Sequence, residues 1–141
     1  LKIGGANGSS MGSMQLSNIV PGFDYGQTQT IQVQNQGTIP FKYRVSAAFT
    51  EGSDVLYNNL KVKVAEKVGD TYQEKYDDYL NKLSNLIINQ NLDRNSSEEI
   101  RFSVYLPDAA DNSCQSKSAK VKFVFNATQT NNTGWTENGS N

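Results

Sequence analysis

The sequence contains no histidine and only one cysteine in 141 residues. Without histidine, the chain lacks the usual general base for a serine or cysteine nucleophile and the usual nitrogen ligand of a catalytic zinc ion. Cys114 has no partner for a disulfide within the chain, and the polar residues 111–116 around it predict an exposed loop. The common hydrolytic sites and a disulfide-rich scaffold are therefore excluded.

Charged residues and long apolar runs are also scarce. Charged residues make up 19% of the chain, and the formal net charge is −1. That balance provides no basic surface for a phosphate backbone. No apolar run approaches the roughly 20 residues of a membrane-spanning helix. We therefore expect no nucleic-acid partner and no membrane span.

The sequence motifs of catalysis and cofactor binding are missing too. There is no His-Glu-x-x-His, no Gly-x-Ser-x-Gly and no glycine-rich phosphate loop between a strand and a helix. Acid pairs such as Asp77-Asp78 and Glu98-Glu99 are sequence neighbours, whose side chains diverge on a strand or helix, so we interpret them as solvated surface charges. The sequence predicts no catalytic residue, no metal site, no cofactor and no enzymatic activity.

What the sequence does contain is period-two alternation of apolar residues, which is typical of strands with one buried face. Residues 39–49 show it most clearly, with every second residue apolar. The same pattern predicts strands at 27–34, 60–64, 100–106 and 119–127, with weaker candidates at 1–3 and 15–20.

Between residues 70 and 91 the apolar spacing changes to that of a helix. The apolar residues that would share one face are Tyr76, Tyr79, Leu80, Leu83, Leu86 and Ile87. The fold class predicted is therefore all-β: an antiparallel jelly-roll-like β-sandwich with one amphipathic helix inserted at about 72–90. Residues 1–130 would form this single domain, and residues 131–141 a mobile polar tail.

Five Asn-x-Ser/Thr sequons mark possible N-glycosylation sites. Composition alone would produce about two or three in a chain so rich in Asn, Ser and Thr. The sequons begin at Asn7, Asn95, Asn126, Asn131 and Asn138.

Three segments resemble the TasA/camelysin family of biofilm matrix proteins. Residues 16–24 (LSNIVPGFD) match the family's first turn at Pro21-Gly22, and residues 33–39 (VQNQGTI) match its second turn at Asn35 and Gly37. Residues 121–129 (VKFVFNATQ) are similar to its final strand. The matches occur in the family's order.

The resemblance implies a structural protein that is secreted with a family-specific signal peptide and located outside the cell or on its surface. Such subunits polymerise into a fibre, filament or pilus by donor-strand complementation. The N-terminal strand, here Leu1, Lys2 and Ile3 with the residues before them, is donated to the next copy. Its partners would be copies of itself in a homopolymeric fibre, with accessory matrix proteins as further candidates. Because the chain begins at Leu1, we expect a trimmed form with upstream sequence removed.

Two other functions are alternatives to a fibre subunit. Camelysin relatives have been classed as metallopeptidases, but a zinc site without histidine is a poor match to known hydrolytic sites, so we disfavour this activity. The alternative is an extracellular carbohydrate-binding or surface-binding β-sandwich module. It would use exposed aromatic residues for stacking; candidates are Tyr25, Tyr57, Tyr72 and Trp135.

Overall fold

A computed structural model of the chain describes residues 2–4, 12–17, 19–110 and 112–129. Strands dominate these residues, joined by one short α-helix, α1 (Asp54–Asn59). The strands are β1 (Lys2–Gly4), β2 (Gly12–Ser17), β3 (Gln27–Gln34), β4 (Phe41–Gly52), β5 (Lys61–Val68), β6 (Thr71–Tyr79), β7 (Leu86–Leu92), β8 (Ser97–Tyr105) and β9 (Ser118–Gln129).

The strands form two antiparallel sheets. One has the order β1-β3-β8-β5-β6 and the other β2-β9-β4-β7. Strands β2 to β9 pair as β2 with β9, β3 with β8, β4 with β7 and β5 with β6. These four nested antiparallel pairs, divided between two packed sheets, are the jelly-roll arrangement. The predicted all-β jelly-roll sandwich is confirmed.

The core lies between the sheets and consists of the alternating apolar residues that the sequence marked. Ile31 and Val33 face inward from β3, and Tyr43 and Val45 from β4. Phe102 on β8 stacks on Phe123 of β9, in the opposite sheet, with ring centroids 4.2 Å apart. The period-two prediction is confirmed in the middle of the strands, whereas Ile39 precedes β4 and is 47% exposed.

One end of the sandwich is covered by α1 and two 3-10 turns, Leu80–Lys82 and Asn112–Cys114. Ser53 caps α1, because its Oγ accepts a hydrogen bond from the backbone N–H of Leu56 at 3.1 Å. Leu56 is buried there together with Leu60, Leu80, Leu83 and Cys114. The predicted exposure of Cys114 is therefore wrong: its polar neighbours face the solvent, but its thiol completes the core.

The helix predicted at about 72–90 is also wrong. These residues form β6, the turn at Leu80–Lys82 and β7. A bulge where β6 pairs with Val64 and Ala65 inserts one extra residue. As a result Tyr72 lies opposite the outward Lys67, whereas Tyr76 lies opposite the inward Val64. The bulge breaks the alternation and produces an apolar spacing that resembles a helical period.

The predicted tail at 131–141 lies outside the described residues, as does Leu1. Within the described part of the chain, no helix has the length and apolar character needed to cross a membrane.

Candidate functional sites

The predicted N-terminal assembly strand lies at the edge of the five-stranded sheet. There β1 pairs with the last part of β3 only, with Lys2 opposite Gln34, Ile3 opposite Val33 and Gly4 opposite Gln32. The next described strand, β2, belongs to the other sheet. Few residues thus attach β1 to the sandwich, and all of them pair along a sheet edge.

The remainder of the outer edge of β3 has no partner among the described strands. No described strand pairs with Gln27 to Ile31 on the side away from β8. β3 has the sequence QTQTIQVQ and no charged residue. At the opposite edge of the same sheet, β6 (TYQEKYDDY) carries four charged residues, which deter pairing with another strand. We name residues 27–31 of β3, on the side away from β8, the open edge.

A buried polar atom without a partner lies in the same strand. The Oε1 atom of Gln29 is buried and has no hydrogen-bond partner among the described residues. Gln29 shares the inward alternation of Ile31 and Val33. An unsatisfied buried acceptor costs about 1–3 kcal/mol, so a donor brought next to β3 would stabilise this strand.

The turn residues that carry the family resemblance have structural roles at the two ends of β3. At one end, Gly22 has a φ of 121° and donates its backbone N–H to the Leu106 carbonyl at 2.8 Å, next to a bridge between Pro21 and Leu106. At the other end lies Asn35, which is 1% exposed.

Asn35 connects the β3–β4 turn with the end of β7 through its side-chain amide. Its Nδ2 donates to the carbonyls of Ile39 and Leu92, both at 2.9 Å. Its Oδ1 accepts the backbone N–H of Gly37 at 2.9 Å. The amide thus fixes the turn into β4 and attaches it to the end of β7.

A second site, which the sequence did not predict, lies partly buried between the two sheets on their β6–β7 side. We call it the interior polar cluster: Glu66 on β5, Glu98 on β8, Tyr43 on β4, Asn89 on β7 and Lys75 on β6. The Tyr43 hydroxyl donates to Glu98 Oε1, and Asn89 Nδ2 donates to Glu98 Oε2 at 2.9 Å. Lys75 Nζ lies 3.5 Å from Glu66 Oε1. Five strands from both sheets thus meet at one pair of carboxyl groups.

Burial perturbs the acid–base properties of this cluster. Glu66 is 8% exposed, and its desolvation, reinforced by a hydrogen bond with Glu98 and by the charge of Glu98, raises its pKa to about 7, while Lys75 opposes the rise. Burial, followed by the proximity of Glu98, raises the pKa of Tyr43 far above its ordinary value. At least one carboxyl in the cluster therefore titrates near neutral pH.

The interpretation of Glu98-Glu99 as two solvated charges is wrong for Glu98. As neighbours on β8, the two side chains point to opposite faces: Glu98 enters the interior, whereas Glu99 accepts a hydrogen bond from the Tyr72 hydroxyl. The period-two alternation that predicted the core also predicts that Glu98 and Glu66 face inward. Glu98 precedes the inward Ile100 by two residues, and Glu66 follows the inward Val64 by two residues.

Two predicted glycosylation sites are described, and both are exposed. Asn95 lies in the turn between β7 and β8 with a φ of 61°, and Asn126 lies on β9. Asn7, Asn131 and Asn138 lie outside the described residues.

The candidate sugar-stacking rings have different neighbours. Tyr25 is 66% exposed beside Gly22, and Tyr57 packs on Phe49 with centroids 5.0 Å apart. Tyr72 is covered by the Arg101 guanidinium, 3.9 Å from the ring centroid. Trp135 lies outside the described residues. The structure therefore does not bring the three described rings together as a stacking platform.

Among the described residues, no group of three or more Asp, Glu or Cys side chains is placed to hold a metal ion. In comparisons with known proteins, no family model matches the chain, and neither does any curated protein sequence.

Proposed function

We propose that this protein is an extracellular structural subunit that polymerises into fibres by strand addition. The N-terminal segment that includes β1 leaves its own sheet edge and pairs with the open edge of β3 in the next copy. The observation that carries the proposal is the pairing of β1, which covers only residues 32–34 of β3 and leaves residues 27–31 without a described partner.

The exchange needs no catalyst, because it replaces one set of backbone hydrogen bonds by another of the same kind. Detaching β1 breaks the backbone pairing of three residues with residues 32–34 of β3. A donated strand that also pairs with residues 27–31 gains further backbone hydrogen bonds along an edge without charges. Pairing between copies is favoured when the donated strand is longer than three residues.

Two further observations support the proposal. The jelly-roll topology is the fold that the resemblance to the TasA/camelysin family implies. The unpartnered Oε1 of Gln29 lies in the strand that would receive the donated segment, so a donor on the incoming strand could satisfy it. The extracellular location rests on the same family resemblance.

The test is assembly of the full mature protein, including any residues that precede Leu1. We expect filaments in electron micrographs and loss of the monomer peak in size-exclusion chromatography as concentration rises. Ile3→Pro removes a backbone donor from β1 and should abolish filaments, whereas Ile3→Val should retain them.

A second variant examines the receiving strand. Thr30→Glu places a charge at the open edge but opposite Arg101 of β8, where the pair favours the fold. We expect a folded monomer that does not polymerise. Persistent monomers of the unaltered protein at high concentration, or filaments of Ile3→Pro equal to those of the parent, would overturn the proposal.

A further inference from the structure

The interior polar cluster contains two neighbouring carboxyl groups, those of Glu66 and Glu98, and their surroundings determine which of them is protonated. The two side chains extend inward from the neighbouring strands β5 and β8, where Glu66 pairs with Ile100, two residues beyond Glu98. Two ionised carboxylates that share a buried position repel each other strongly, so one member of the pair is protonated.

The remaining contacts indicate which member carries the proton. Both oxygens of Glu98 already accept hydrogen bonds, one from Tyr43 and one from Asn89. An ionised carboxylate is an acceptor only, which matches both of these contacts of Glu98. The proton of the pair is then on Glu66. It is 8% exposed, where a charge would be poorly solvated.

We propose that the proton on Glu66 holds the two sheets together on their β6–β7 side, so that loss of this proton loosens this side of the sandwich. Glu66 and Glu98 belong to the five-stranded sheet, whereas Tyr43 and Asn89 belong to the four-stranded sheet. Ionised Glu66 would place a second negative charge beside Glu98 and weaken this connection. The inference is independent of fibre formation.

The groups of the described residues that face Glu66 determine how readily it ionises. From β8 Glu98 disfavours its ionisation, and from β6 Lys75 favours it. From β4 comes Tyr43, which stays neutral because its own pKa is raised. From β7 comes the neutral amide of Asn89. The bulge in β6 brings Lys75 close enough to reduce the repulsion between the carboxylates, although burial and Glu98 outweigh it.

The sign of the pH effect follows from the direction of the shift. The Glu66 pKa rises from 4.5 to about 7 on folding, so the folded state binds more protons than the unfolded state between these values. The contribution of Glu66 to stability is complete below pH 4.5 and is lost as the pH rises to 7. Ordinary carboxyl groups titrate below about pH 5.5. A change in stability between pH 5.5 and 7.5 can therefore be assigned to Glu66.

The experiment is urea unfolding of the full chain, kept monomeric at low concentration, at intervals from pH 5.5 to 7.5. One proton per molecule changes the unfolding constant by up to about tenfold per pH unit. We expect the constant of the parent to rise at least about tenfold over this range. Glu66→Gln should remove the rise, because its neutral amide has nearly the same shape as the protonated carboxyl and does not titrate. Glu51→Gln, at an exposed ion pair with Lys120, should keep it.

Hydrogen exchange of the unaltered chain gives a second readout that does not depend on a variant folding. After correction for intrinsic rates, amides of β6 and β7 should lose protection from pH 6 to 8, whereas those at the β2–β9 pairing should not. A flat unfolding constant in the parent, a parental slope in Glu66→Gln, or uniform exchange across both regions would each overturn the proposal.

Discussion

Among single residues, Asn35 shows how a polar side chain can be essential within a core. It is buried, yet both polar atoms of its amide have partners: one carbonyl in the β3–β4 turn, one carbonyl at the end of β7, and one backbone N–H. These hydrogen bonds offset the cost of burying the amide, and they connect the β3–β4 turn with the end of β7.

Substitution of Asn35 by alanine should therefore cost stability out of proportion to its size. Asn35→Ala leaves two carbonyls and one N–H without their partner, and we expect a loss of about 2–3 kcal/mol in the free energy of unfolding. Urea denaturation measures it. Gln36→Ala, at the exposed neighbour, is the control and should change stability by less than about 0.5 kcal/mol. Equal effects of the two variants would contradict the role assigned to Asn35.

The sequence predicted Asn35 and Gly37 as turn residues, but not the burial of Asn35. A turn signal specifies local backbone geometry only. The buried hydrogen bond of Asn35 goes to the Leu92 carbonyl, which is 57 residues distant in sequence. Cys114 was misjudged for a similar reason, since its polar sequence neighbours do not reveal that α1 packs over the same end of the sandwich. Glu66 and Glu98, by contrast, follow the alternation and could have been predicted.

At the level of strands and turns, two glycines with positive φ have very different surroundings. Gly52 ends β4 with a φ of 107°, and a Cβ there would lie 2.5 Å from the Ser118 carbonyl oxygen and 2.8 Å from the Ala119 Cα. Gly69, in the β5–β6 turn, has a φ of 63°, and a Cβ there would have no atom within 4 Å. Only Gly52 combines backbone strain with a steric clash.

Alanine at these two positions separates the two effects. Gly69→Ala should lose about 1 kcal/mol, the cost of a left-handed backbone alone. Gly52→Ala should lose roughly 3 kcal/mol, because the backbone of β9 must also move. Thermal or urea unfolding of both variants checks the difference. A loss at Gly69 equal to that at Gly52 would show that strain, rather than close packing, dominates.

The strands that the sequence identified well are those with one face in the core. β3, β5, β8 and β9 lie where alternation predicted them. β6 was missed because it is an edge strand with a bulge, so neither face is uniformly buried. Local periodicity does not reveal a bulge, which is defined by pairing with a second strand.

For the whole molecule, the contact between the two sheets depends on a few large side chains. Phe102 and Phe123 stack across the interface, and Phe125 meets the edge of the Phe102 ring at 6.1 Å. Both sheets are therefore bound through one aromatic centre, which is consistent with the cooperative unfolding of small domains.

Phe102→Ala should be the most destabilising of the substitutions considered. Phe102 is fully buried, and its removal leaves a cavity between the sheets; we expect a loss of about 3–5 kcal/mol, measured by urea unfolding. Phe49→Ala is the matched control, because Phe49 is 38% exposed and should lose much less. Similar losses would show that the stacked pair is not central to the contact.

The pairing of β2 with β9 also determines when folding can finish. Gly12 of β2 lies opposite Phe123 of β9, so β2 cannot pair until β9 is present. Closing so long a loop is slow, because its entropy is lost before the contacts compensate for it. During synthesis, the four-stranded sheet stays incomplete until β9 has left the ribosome. The release of β9 therefore sets the earliest time at which the folded sandwich exists.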